Sequence, residues 1–208
     1  MKLLIAGAGG HGCVVADAAE TTNQWTEIAF LDDRYPELQM SGGWKVVGRL
    51  EDMERYRPQF EACIAAVGEA RLRLDLLRAA EQRGFRVPVI VHAGAIVSRR
   101  ARLETGSFIA AGGIVNVGSS LGPGCIVNTG ATVDHDCTLG PGVHICPGAH
   151  LGGSVTIGAR TWFGIGAVAI QGIRIGADVT VGAGAVCLGD VRDGAVVYGV
   201  PAREKRNE

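Results

Sequence analysis

In the stretch LGPGCIVNTGATVDHDCTLGPGVHI, residues 121–145, an aliphatic residue returns at every sixth position: Leu121, Val127, Val133, Leu139 and Ile145. The frame extends without a slip from Val91 to Val181, and fourteen of its sixteen positions are Val, Ile or Leu. Four residues after each lies a second set, running from Ala95 and Ala101 to Val179 and Ala185, in which twelve of sixteen are Ala, Ser, Gly, Cys or Thr. A period of six fits neither the 3.6-residue helix nor the alternating strand. It is the signature of a parallel β-helix built from hexapeptides. One hexapeptide makes a short strand and a corner, and three make a triangular coil. Residues eighteen apart then stack at roughly 4.8 Å, which predicts a prism about 25 Å tall. Gly follows the aliphatic at Gly122, Gly140, Gly158, Gly176 and Gly182, where it is expected to ease a sharp backbone turn. Flat, Gly- and Ala-rich faces suit side-by-side packing of identical chains.

Residues 1–88 read differently. The apolar run Lys2–Ala6 meets Gly7-Ala8-Gly9-Gly10-His11-Gly12, and a helix is predicted from Cys13 to Thr21. A second strand over Glu27–Leu31 ends in Asp32-Asp33, and a third over Ala62–Val67 ends at Gly68. An amphipathic helix follows over Glu69–Arg83, then a strand near Val87–Val91 leads into the β-helix. Strand alternating with helix predicts a small parallel sheet, half of a Rossmann-like fold. The predicted division is therefore 1–88, a small α/β domain, and 89–208, a β-helix with a short tail. Strand, glycine turn and helix point backbone N–H groups at a phosphate. A whole dinucleotide does not suit so short a domain, and a nucleotide-sugar fits it better. A turn that merely joins strand to helix stays open as the alternative.

The chain has 20 Lys and Arg against 21 Asp and Glu, a net charge of −1 that argues against nucleic acid as its partner. No apolar run is long enough to span a bilayer, and the first residues do not read as a signal peptide, so a cytoplasmic protein is expected. Six cysteines without a C-x-x-C pair are expected to be reduced thiols, with Cys125 and Cys137 in the inward register.

Four segments together carry a resemblance: Gly7–Gly12, Leu31-Asp32-Asp33, Asn128–Cys137 and Gly199-Val200-Pro201-Ala202-Arg203. The chain resembles bacterial sugar acyltransferases of the sialic acid O-acetyltransferase and UDP-amino-sugar N-acetyltransferase type, most weakly over residues 34–60. The resemblance implies a left-handed β-helix, a homotrimer, acetyl-CoA as donor and a nucleotide-sugar bound by the N-terminal domain. It implies that His135 is the catalytic base and Asp136 the acidic neighbour that raises its basicity. Asn128, Gly9, Gly10, His11, Asp32, Asp33 and Gly68 become substrate contacts. His144, Ile165, Gly182 and Ala183 become acetyl-CoA contacts, and no metal is expected.

Such residues suit acyl transfer. An imidazole titrates near neutrality and can strip the proton from an attacking amine or hydroxyl. A carboxylate beside it holds the tautomer, and backbone N–H groups at a corner can stabilise an oxyanion. No G-x-S-x-G motif is present, which agrees with direct transfer. His135 and His144 are nine residues, one and a half faces, apart, so they serve one site only between subunits; three sites per trimer are expected. The expected function is N-acetylation of a nucleotide-linked amino sugar of the UDP-4-amino-4,6-dideoxy type, with sugar O-acetylation as the alternative. A zinc hydratase using His135, His144 and His150, and a non-catalytic sensor, are the other classes. His144 and His150 fall in corner-side slots where exposure is as natural as function, and Asn116 and Asn128 could cap corners. The clusters Arg99-Arg100-Arg102 and Arg203-Lys205-Arg206 read as solvated charge or as partners for CoA phosphates.

Overall fold

A computed structural model describes residues 1–205 of the chain. They form two compact units, Met1–Ala93 and a second that begins at Gly94; Arg206 lies outside the described residues.

In the first unit, strand β1 (Lys2–Ala6) is flanked in parallel by β2 (Glu27–Leu31) and by a strand at Ala62–Ala65. Leu3, Leu4, Ile5 and Ala6 are wholly buried, as befits a central parallel strand covered on both faces. Helix α1 spans Gly10–Glu20, starting three residues before the predicted Cys13. His11 therefore stands in the first helical turn and not in the loop before it. Glycine is a poor helix former, but packing overrides that preference here. A Cβ on Gly12 would strike the Gly7 carbonyl, so its absence lets the helix lie against the turn. Helix α2 spans Ala70–Gln82 and is capped by Glu69, whose carboxylate accepts from the N–H groups of Arg71 and Leu72.

One feature goes beyond the expected parallel sheet. Residues Met40–Ser41 and Trp44–Gly48 form an antiparallel hairpin whose longer strand extends the sheet beside β2. Gly42 and Gly43 make its turn at φ +56° and +100°, the paired positive angles of a two-residue hairpin loop.

The second unit is a left-handed parallel β-helix with three faces. The first face carries Ile96–Val97, Ile114–Val115, Thr132–Val133, His150–Leu151, Val168–Ala169 and Val186–Cys187. The second runs from Arg102–Leu103 to Arg174–Ile175. The third includes Phe108–Ile109, Ile126–Val127, His144–Ile145, Trp162–Phe163 and Thr180–Val181. Partners in these pairings are eighteen residues apart, as the repeat requires. Aliphatics from Ile109 to Val181 point inward and are at most 2% exposed. Small polar residues of the inward set are satisfied by one recurring bond to a carbonyl fifteen residues on. Ser107 reaches Gly122, Ser119 reaches Asp134, Cys125 reaches Gly140, Cys137 reaches Gly152 and Thr161 reaches Gly176. All six cysteines are free thiols.

The glycines after the aliphatics serve a different purpose from the one expected. None of the five has a positive φ; a Cβ on Gly140 would lie 2.7 Å from the N of Ala159 in the next coil. They permit close approach between coils. The sharp turn falls two residues later, at every sixth position from Gly106 to Gly184, where φ is positive. Ten of these fourteen residues are Gly, and the others are Asp136, Ser154, Arg160 and Asp178. Asn116 and Asn128 are not among them, so neither caps a corner through positive φ. The last coil is shorter: Thr180 pairs with Val196, and Arg203–Glu204 folds back antiparallel on Val196–Tyr198.

Candidate active site

Three groups of residues emerge, each from a different part of the fold. The first lies at the glycine turn of the N-terminal unit. Gly7 and Gly12 have structural reasons to be glycine, because a Cβ on either would collide with backbone. Gly9, Gly10 and Gly68 do not: nothing lies within 4 Å of a Cβ built on them, and their φ angles are ordinary. Open space beside a helix N-terminus without a side-chain cap leaves the N–H groups of Gly9 and Gly10 approachable. Asp32 is engaged in ordering this turn. Its carboxylate accepts from the Ala8 N–H at 2.8 Å and from Arg34 Nε at 2.7 Å, and the Arg34 bond chiefly lowers its pKa to about 2. Asp33 accepts from the Leu50 N–H at 3.1 Å. His11 is pushed down to about 4 by burial and by the nearby Arg73, so it is neutral near pH 7. Arg73, 1% exposed, donates to the carbonyls of Val67 and Gly68 and fixes the loop that bears Gly68.

The second group occupies the corner between the first two faces of the prism. His135 Nδ1 donates to Asp136 Oδ2 at 2.9 Å. That bond leaves Nε2 as the ring atom able to take a proton. The Asp136 bond is the main cause of a raised His135 pKa. Both side chains are more than half exposed, at 53% and 64%. Asp136 stands at φ +59°, an uncommon conformation for a residue with a Cβ.

The third group lies on the third face and the corner after it. His144 is 5% exposed, a strand residue and not corner decoration, whereas His150 is exposed and bonded to Thr132. The His144 ring packs against Trp162 with centroids 4.3 Å apart. Asn128 lies 3.2 Å from His144 Nε2. Because the Thr129 N–H donates to Asn128 Oδ1 at 2.8 Å, the amide nitrogen faces the imidazole, and Nε2 is the acceptor. Ile165 is 60% exposed, and its carbonyl accepts from Gly184, which places Ala183 one coil along the same corner. Gly182 has the Tyr198 Cβ 2.9 Å from where its own would lie.

Asn128 thus joins His144 and not His135, a pairing sixteen residues apart that only the coil geometry makes visible. Trp162, Asp134, Asn116 and Arg73 are site neighbours that the motifs did not mark. The offset of eighteen from His144 to Trp162 and from Asn116 to Asp134 was the available signal. A cleft of about 580 Å³ opens at the last coil between Leu188, Arg192 and Arg203, and none of the expected site residues lines it. Arg99, Arg100, Arg102, Arg203 and Lys205 are exposed. Among the described residues, no three His, Cys, Asp or Glu side chains cluster as metal ligands, and no helix is long and apolar enough to cross a membrane.

Comparison with known proteins adds the following. Residues 2–80 match the family model of the PglD N-terminal domain. The chain is 43% identical to the acetyltransferase domain of PglB from Neisseria gonorrhoeae, solved with acetyl coenzyme A; the match covers 98% of each chain at a TM-score of 0.95. It is 36% identical to a variant of GDP-perosamine N-acetyl transferase from Caulobacter crescentus, solved with CoA and GDP-perosamine, covering 100% and 98% of the two chains at a TM-score of 0.94. WeeI from Acinetobacter baumannii shares the fold, at 22% identity, 99% and 100% coverage and a TM-score of 0.76. No curated protein sequence matches the chain.

Proposed function

We propose that this chain, which belongs to the bacterial sugar acyltransferase family of the PglD and NeuD type, moves an acetyl group from acetyl-CoA to the amino group of a nucleotide-linked amino sugar. The sugar proposed is a UDP-4-amino-4,6-dideoxy sugar. The observation that carries this reading is the His135–Asp136 pair, an exposed imidazole whose Nδ1 is committed to the carboxylate, so that Nε2 is the ring atom left to accept a proton. Acetyl-CoA supplies the acetyl group as an activated thioester. His135 takes the proton from the sugar amine as it attacks, and Asp136 stabilises the imidazolium that forms. Gly9, Gly10, His11 and Gly68 hold the nucleotide-sugar, the glycines by close backbone approach. Asp32 shapes that turn through the Ala8 N–H, and Asp33 beside it completes the nucleotide-sugar contacts.

The chain's residues fit a CoA thioester. The exposed Ile165 with Ala183 and Trp162 offers an apolar strip, and His144 presents a fixed ring beside it. His135 is on the corner between faces one and two, and His144 on face three, so within one chain they look in different directions. The proposed enzyme is accordingly a homotrimer whose sites form between neighbours, His135 from one copy and His144 from the next.

Two experiments test this. CoA release is measured with UDP- and GDP-linked 4-amino sugars and with sialic acid; turnover on sialic acid alone would replace N-acetylation with O-acetylation. Separately, inactive His135→Ala and His144→Ala chains are mixed after dissociation. Recovered activity supports a shared site, and a fully active monomer by light scattering rejects it.

A further inference from the structure

The turn that carries His135 is held more tightly than its exposure suggests. Asn116 Nδ2, one coil above, donates to Asp134 Oδ1 at 2.9 Å, and that oxygen also accepts the His135 backbone N–H at 2.8 Å. The Ser119 hydroxyl donates to the Asp134 carbonyl at 2.6 Å and accepts the Cys137 N–H at 3.0 Å. From the coil below, the Ser154 N–H donates to the His135 carbonyl at 2.8 Å. The imidazole itself lies across Gly153. A Cβ there would stand 2.5 Å from Cε1 and closer still to Nε2. Every other hexapeptide from 103 to 181 carries a side chain at this slot, and the φ of Gly153 is not in the left-handed region. The position has no folding reason to be glycine.

We propose that Asn116 and Asp134 are positioning residues that aim the His135 ring over Gly153. The aim is set through the main chain: Asp134 fixes the amide of residue 135, and Asn116 fixes Asp134. Among the described residues, the charged groups acting on the ring are Asp134 and Asp136. The coil above presents Val117, Gly118 and Ser119, and the coil below Gly153 and Ser154; the Cys137 thiol is turned inward. Asp134 is held ionised by the bonds from Asn116 and the His135 amide, and its charge adds to the pull of Asp136 on the imidazolium.

This rests on His135 being the base, so the test has a readout that needs no turnover. The His135 imidazole is titrated by NMR, its resonances assigned by their loss in His135→Ala, alongside kcat and KM. In Asp134→Ala the titration midpoint falls, and kcat drops about tenfold with KM for acetyl-CoA nearly unchanged. Asp134→Asn keeps the acceptor and loses the charge, so kcat returns to within about threefold of wild type while the midpoint stays low. Asn116→Ala, read the same way, decides the matter if Asp134→Ala does not fold. An unmoved midpoint with unmoved kcat overturns the proposal, as does failure of Asn to recover what Ala loses. A midpoint that responds in a protein with no acetyltransferase activity keeps the positioning role and removes the function proposed above.

Discussion

Two corners of the prism hold residues other than glycine in the left-handed conformation, and they use it for opposite ends. At the corner of Arg160 and Asp178, with φ +61° and +54°, the side chains turn toward each other across adjacent coils and bond, Nε to Oδ1 at 2.7 Å. The ion pair offsets backbone strain with a contact between coils, and the result is purely structural. At the other corner the Asp136 side chain, at φ +59°, reaches sideways to the imidazole of the residue before it, while its backbone N–H donates to the Val117 carbonyl of the adjacent coil at 3.0 Å. Among the described residues, no ion pair between coils offsets its strain. An uncommon backbone angle at a carboxylate that holds an exposed ring accords with the catalytic role proposed for the pair.

Substitutions can break that contrast. His135→Ala should lower kcat by about 10²–10⁴ with little change in melting temperature, since the ring is half exposed. A loss of stability to match would put the corner on the structural side. Asp136→Gly should lower kcat by roughly ten- to a hundredfold while raising stability by up to about 1 kcal/mol, because Gly adopts this φ freely. The same change moves the pH profile. The proposed base works when neutral, so kcat/KM should rise with pH through the His135 pKa, which the Asp136 bond raises. Without Asp136 the rise should shift to lower pH; an unmoved profile would detach the carboxylate from the ring.

The glycines sharpen the contrast further. Gly158→Ala should cost about 2 kcal/mol or more, measured by chemical denaturation, because the backbone of Ala177 occupies the space. Gly10→Ala should do the reverse. Its Cβ meets nothing, so helix propensity stabilises the fold by about 0.5–1 kcal/mol, while KM for the nucleotide-sugar rises roughly tenfold. Arg160→Gly should change least: activity intact, and stability within about 0.5 kcal/mol as a surface ion pair and a strained φ are lost together.

The repeat made the second unit legible because one frame sets both the buried aliphatics and the pairing of His144 with Trp162. The left-handed column was equally visible as Gly106, Gly112, Gly118, Gly124 and Gly130, yet the glycines after the aliphatics drew the turning role. Both sets recur every six residues, and only the spacing between coils tells them apart. In the first unit the start of α1 was misplaced because glycine propensity opposes a helix that packing requires. The hairpin at 40–48 carried its own signal in Gly42-Gly43, hidden by strands too short to show alternation. His135–Asp136 were adjacent and readable. Asn116 and Asp134 were not, since their role depends on a bond between coils.

The short strand Arg203–Glu204, folded back on Val196–Tyr198, runs against the direction of every other rung on its face. A parallel stack with a bare end would offer its unpaired amides to the next molecule and could lengthen without limit. By reversing, this segment covers the last parallel rung of the third face with a strand of opposite direction, a mismatched template for a further coil.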